Sequence, residues 1–289
     1  MTITRKEVQA SAPVPVTYGT PFAWKVLRLC RRYNVIGFVL LMGVVMEYPV
    51  RAYTQNKQSF LRPSVVQYPP PEIEIPATLT ELESLAKQHP ADFSVHSDLM
   101  VLYAQKGQWE RCIEAGFKAM QVDPSDVNVH LGIIYAYANL NQFDQALNQV
   151  ELSLKRPFQG WERSALLRVK GDLLMDFYRG TNKRTFLTES RTSYRKALEV
   201  DAKNALARIG LARVDIERKL FRTAKQHLEK VRSQVKVEQP GGHRKLALAL
   251  YYLGLIEELQ GRYKTAQSLY QQAIRTHPSS FKGVPRGGR

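Results

Sequence analysis

Cysteine is nearly absent from this chain: Cys30 and Cys112 are the only two in 289 residues. An apolar stretch separates them, so a mutual disulfide is hard to form, and neither stands in a metal-type spacing. Signature motifs are missing as well. No H-E-x-x-H, G-x-S-x-G or G-x-x-x-x-G-K-[ST] occurs, which removes the usual zinc-protease, hydrolase and phosphate-loop chemistry. The pair Gly241-Gly242 falls in a loop after Pro240, not in a strand-to-helix phosphate turn. His96 and His130 stand 34 residues apart and read as equivalent packing residues, not as a ligand pair. Asp172 and Asp176, one helical turn apart, are read as partners of Arg168 and Arg179. The expectation is therefore no enzyme, no cofactor and no metal site.

Acidic residues are in short supply, 26 against 42 Lys and Arg, which gives a net charge of +16. The excess is uneven: +7 over residues 1–62, −4 over 63–92, −2 over 93–160, +9 over 161–238 and +6 beyond. A neutral-to-acidic front half and a basic back half imply different surroundings or partners. Arg179, Lys183, Arg184, Arg222 and Lys225 form the candidate basic patch, open to an acidic protein, anionic lipid or nucleic acid, or simply a solvated face. Nucleic acid is the least favoured of these.

Long hydrophobic runs are also scarce. Val35–Met46 (VIGFVLLMGVVM) is twelve residues without a charge, about 18 Å of helix against a hydrocarbon layer of about 30 Å. Extending it from Tyr33 to Val50 admits Asn34 and Glu47 near the ends, with Tyr33 and Tyr48 suited to an interfacial belt. Before it, Phe22, Val26 and Leu29 share a face while Lys25, Arg28, Arg31 and Arg32 supply charge. Three readings stay open: a retained single-pass anchor over 21–50, which is preferred, a cleaved signal peptide, or a buried core helix. The basic residues ahead of the segment place the N-terminus in the cytoplasm and the rest of the chain on the far side, periplasmic or equivalent. Residues 1–20 read as a disordered tail, and 51–77, with Pro63, Pro69, Pro70, Pro71 and Pro76, as a semi-rigid linker.

What is abundant is self-similarity. Leu253-Gly254, Gly261, Tyr263, Ala266, Tyr270, Ala273 and Pro278 recur at offsets echoed upstream. Trp109 and Phe143 are 34 apart, as are Tyr103 and Tyr137, Cys112 and Ala146, and Pro90 and Pro124. Small residues such as Gly254 and Ala266 suit a close helix crossing, and Leu253, Tyr263 and Tyr270 suit the space between helices. Repeats are predicted at 93–126, 127–160, 164–204, 205–238 and 247–280, with a capping helix at 78–89 and a basic tail at 281–289. About seven extra residues around Gly180-Thr181-Asn182-Lys183-Arg184 are expected to lengthen an inter-helix loop, and an insertion containing Pro240-Gly241-Gly242 to precede the last repeat.

These residues and offsets resemble the tetratricopeptide-repeat family over about 190 residues. The resemblance implies an all-α superhelix of about five helix pairs behind a transmembrane helix, with a concave groove that binds protein. Family inner positions transfer to Leu131, Tyr135, Arg168, Met175, Ile209, Arg213, Tyr251 and Leu255, expected to line an apolar groove. The chaperone-clamp subgroup's Lys and Asn are replaced by Ser97 and Val101, so that carboxylate clamp is not expected. The expected function is a membrane-anchored scaffold or assembly factor whose partners are other subunits of a membrane complex, with lipid contacted through 21–50. A chaperone-like holder of unassembled or exported proteins, or a module for anionic lipid or polymer, are the alternatives.

Overall fold

The structure, a computed structural model, describes residues 75–281. The tail at 1–20, the anchor at 21–50, most of the linker and the end of the basic tail lie outside the described residues. Among those described, every regular element is helical: α1 (Leu79–Gln88), α2 (Phe93–Gln105), α3 (Trp109–Val122), α4 (Val127–Asn139), α5 (Phe143–Leu154), α6 (Gly160–Thr181), α7 (Arg184–Val200), α8 (Ala205–Glu217), α9 (Phe221–Gln234), α10 (Gly242–Leu259) and α11 (Tyr263–Thr276), then a 3-10 turn at Pro278–Phe281. No helix among them is long and apolar enough to cross a membrane.

The helix ends are written in the sequence. Asp92, Asp126 and Asn204 cap α2, α4 and α8 by accepting hydrogen bonds from backbone N–H groups of the first turn. Thr78 and Glu81 form a reciprocal capping box on α1. Four of the turns inside helix pairs share one geometry. The second residue past the helix is left-handed (Gly107, Asn141, Lys219, Gly261), and the next N–H bonds back to Tyr103, Tyr137, Asp215 and Glu257 carbonyls at 2.8–2.9 Å. That is a Schellman closure, which glycine and asparagine accept readily and Lys219, at φ 59°, less so.

The helices pair as α2–α3, α4–α5, α6–α7, α8–α9 and α10–α11, here units one to five, with α1 packed on α2. Each second helix also packs on the first helix of the next unit. First helices of adjacent units touch along the series α2, α4, α6, α8 and α10, and the second helices form no corresponding series. The first helices are therefore the inner, more closely spaced layer of a curved stack. Apolar clusters run through it continuously, from Leu82, Leu99 and Ile133 to Leu228, Leu253 and Ile256.

Two expectations about the insertions are corrected. The extra residues of unit three do not form a loop: they lengthen α6 to 22 residues and α7 to 17, and only Asn182 and Lys183 connect them. A lone glycine such as Gly180 costs a helix only about 1 kcal/mol. The last turns of α6 are held by Phe177, which stacks on Phe186 at 5.2 Å and meets Phe143 edge-on at 6.0 Å. Likewise Gly242 already belongs to α10, an 18-residue helix, so that insertion extends the first helix of unit five as well as the loop before it. Tyr263, expected between helices, is 67% exposed.

Candidate functional site

The inner layer carries all eight residues transferred by the repeat frame, but burial divides them. Leu131, Tyr135 and Leu255 are half-buried and reachable. Met175, Ile209 and Tyr251 are buried, at 0%, 3% and 3% exposure. These three are not groove residues: they are packed inside the array, covered by neighbouring helices and, for Tyr251, by the terminal turn. Met175 joins the cluster around Tyr194 and Val214. Ile209 and Tyr251 join the cluster of units four and five, where Phe281 of the terminal turn stacks on Tyr251 at 5.5 Å. Leu206 and Leu248, near the starts of α8 and α10, remain half-buried and apolar on the same helices. The accessible inner surface is thus narrower than expected.

Arg168 and Arg213 are also corrected, from groove lining to buried framework. Arg168 donates to the Tyr135 hydroxyl at 2.6 Å and to Asp172 Oδ2 at 2.8 Å. Asp172 Oδ1 accepts from Arg213 at 2.8 Å and from the Tyr194 hydroxyl at 2.7 Å. This line crosses units two, three and four. Sequence reasoning paired Asp172 with Arg168 correctly, but missed its bonds to Arg213 and Tyr194, which stand 41 and 22 residues away. The signal available was a pair of glycines. A Cβ on Gly171 would stand 2.6 Å from the Tyr194 ring, and one on Gly210 closer still, so both first helices leave room for that ring.

The electrostatics follow from burial. Burial opposes charge on Arg168, yet Tyr135 and Asp172 outweigh it and keep the guanidinium protonated. Arg213 is held charged in the same way, with Tyr252, Tyr194 and both carboxylates overcoming burial. Asp176 is the weak member. Burial pushes its carboxyl up to about 6 against the pull of Arg213 and Arg179. Arg179 approaches it only to 3.7 Å, and neither Asp176 oxygen has a hydrogen-bond partner among the described residues. Arg179 is accordingly no part of an open basic loop: it lies in the last turn of α6, aimed at Asp176.

The other patch residues are exposed. Lys183 and Arg184 sit at the α6–α7 connection, and Arg222 and Lys225 lie on α9, where Lys225 reaches Glu257 at 3.3 Å. The histidines pack as expected: His96 and His130 bond through Nε2 to the carbonyls of Pro90 and Pro124 at 2.9 and 3.1 Å. Cys112 is buried, with its thiol pushed up to about 12, and so is unreactive. No group of three or more His, Cys, Asp or Glu side chains arranged to hold a metal is found among the described residues.

Residues 203–279, units four and five, match the family model described as tetratricopeptide repeat. The array has the tetratricopeptide fold. The tetratricopeptide array is similar to that of TTC0263, a thermophilic protein of Thermus thermophilus (14% identity, 68% of this chain and 96% of that chain, TM-score 0.56). It is also similar to PilW, a type IV pilus biogenesis factor (14%, 71% and 86%, TM-score 0.53). A third likeness is to PilF of Pseudomonas aeruginosa (14%, 71% and 85%, TM-score 0.51). At such identities the likeness is one of fold. No curated protein matches the chain.

Proposed function

We propose that this protein is a membrane-tethered scaffold that holds a partner protein against the inner layer of its tetratricopeptide array and performs no reaction of its own. The observation that carries the reading is the inner face itself. Leu131, Tyr135, Leu206, Leu248 and Leu255 stay half-buried on the first helices α4, α8 and α10, beside a floor fixed by the Arg168–Asp172–Arg213 line of α6 and α8. Such a row of apolar side chains on a rigid support suits an amphipathic helix or an extended apolar segment. Shared fold with PilW, a pilus biogenesis factor, supports an assembly role by analogy only.

The tether is residues 21–50, with Lys25, Arg28, Arg31 and Arg32 on the cytoplasmic side and the array on the far side of the membrane. A membrane-impermeant thiol reagent tests this topology. The buried Cys112 is out of reach, so with Cys30 replaced by serine a cysteine placed at exposed Ser125 should be labelled from the far side of sealed membranes and not from the cytoplasmic side. The reverse pattern would sink the orientation.

Photo-crosslinking residues at Leu131 and Leu255 test the grip. Both should yield the same adduct in native membranes, at fixed stoichiometry, and Leu248→Ala should reduce it while leaving the array folded. Equal yield from Gln145 on the outer helix α5 would remove the inner face from the proposal. An adduct that is lost once the client has assembled would instead favour the chaperone-like alternative.

A further inference from the structure

We infer that the outer face of units three and four, built by α7 and α9, docks on the headgroups of an anionic bilayer. Between Lys183 and Lys236 twelve exposed side chains are basic, and only Glu189 and Glu199 are exposed and acidic. Over Thr78–Lys155, a longer stretch, the exposed charges are five basic and four acidic. The excess is therefore local to this stretch, with seven of the twelve on α7 and α9, and not a property of the array.

The positions make the face continuous. Arg184, Arg191 and Arg195 fall on one side of α7, and Arg222, Lys225 and Arg232 on one side of α9. Arg184, Arg195, Arg222 and Lys230 make no ion pair among the described residues; Lys225 and Arg232 are paired at 3.3 Å with Glu257 and Glu229. Between the two helices lies a buried carboxylate, Asp215, 2% exposed and 3.7 Å from His227. Burial lowers the pKa of His227 against the pull of Asp215, and the nearby cations Arg208, Arg191 and Lys230 lower it further. Asp215 is sunk beneath them, and Glu229 of α9 is taken up by Arg232.

A shaped acidic ligand would call for donors held in a pocket, whereas here long, mobile side chains are spread over two helices. That distribution suits a sheet of mobile headgroups, with each cation near such a surface adding a factor of roughly five to binding. The same chain supplies the means of keeping the face there. The inference rests on the tether proposed above, which holds the array at high effective concentration beside the bilayer. With the outer helices on the membrane, the inner layer faces away and stays open to a partner.

The test uses the full chain in nanodiscs of neutral phosphatidylcholine, or with about 30 mol % phosphatidylglycerol, read by lysine acetylation. Lys196, Lys225 and Lys230 should react at least ~3-fold more slowly in the anionic discs and recover at ~500 mM NaCl, while Lys87 and Lys118 react alike in both. The double variant Arg195→Glu/Arg222→Glu should lose the protection and keep its helical circular dichroism. Equal reactivity in both discs would overturn the inference, and so would protection by added polyglutamate or RNA but not by anionic lipid. The two proposals fail separately: release from neutral discs would end the tether, and the face would then be decided by flotation with neutral against anionic vesicles.

Discussion

The front and the back of the array place polar groups in the core by opposite means: the histidines of units one and two bond to the loop ahead of their own helix, whereas a charged line ties units two, three and four together. In the front pair, His96 and His130 reach the carbonyls of Pro90 and Pro124, and His130 also meets Ser153 at 2.9 Å and the edge of Phe158 at 5.2 Å. Burial lowers the pKa of His130, so this fastening works with a neutral ring. In the back pair the inner layer is held by ionised groups: Arg168, Asp172 and Arg213, with Tyr194 beneath. One repeat fold thus accepts a neutral clasp or a charged one, and the two must answer differently to mutation and to acid.

The sharpest way to break the comparison is Asp172→Asn. It leaves two buried guanidinium groups short of their carboxylate, at a cost of about 3–5 kcal/mol, and urea unfolding should show units three and four melting ahead of the front. A loss under about 1 kcal/mol would mean that the charged line does not hold the back. Asp176→Asn should act in the opposite direction. Its folded pKa of about 6 lies above the ordinary value of 3.8, so the native state binds the extra proton and stability falls as pH rises between those values. The variant should gain about 1–3 kcal/mol at pH 8, a gain that vanishes near pH 4.

His130→Gln sharpens the other side. A histidine with a lowered folded pKa stabilises above its unfolded pKa, and that contribution is lost as pH falls through the folded value. The variant should cost about 1–2 kcal/mol at pH 8 and less at pH 5, seen as converging thermal midpoints. Identical pH slopes for the Asp176 and His130 variants would erase the distinction drawn here. Smallest is Lys219→Gly, which relieves a left-handed lysine and should stabilise by about 0.5–1 kcal/mol, detectable as slower hydrogen exchange at the start of α9.

The repeat frame was legible because its markers have local jobs. Pro90 and Pro124 end helices, Gly107 and Gly261 supply left-handed turns, and Ala146 and Ala266 sit where helices cross. Burial within the inner layer was not legible. It depends on what packs over each helix, which put Met175 and Ile209 inside between units and Tyr251 beneath the terminal turn, and left Leu131, Tyr135 and Leu255 at the surface. The Gly180–Arg184 segment misled for a related reason. Its composition is that of a turn, but the Phe177–Phe186 stack comes from packing and carries α6 onward to Thr181. Asp172 and Arg168 were readable as neighbours one turn apart, whereas Arg213 and Tyr194 were visible only once three units had been stacked.

Repeat arrays commonly change length by gaining or losing whole modules, since each contacts only its neighbours. The line from Tyr135 through Arg168 and Asp172 to Arg213 sets a limit on that freedom. Its members belong to units two, three and four, and each is completed only by the next. Removing unit three would confront Tyr135 with Arg213 and no carboxylate between them, and duplicating it would bury a second aspartate without its full set of donors. These three modules are consequently not interchangeable parts, and a longer or shorter version of this protein has to be built outside them, before α4 or after α9.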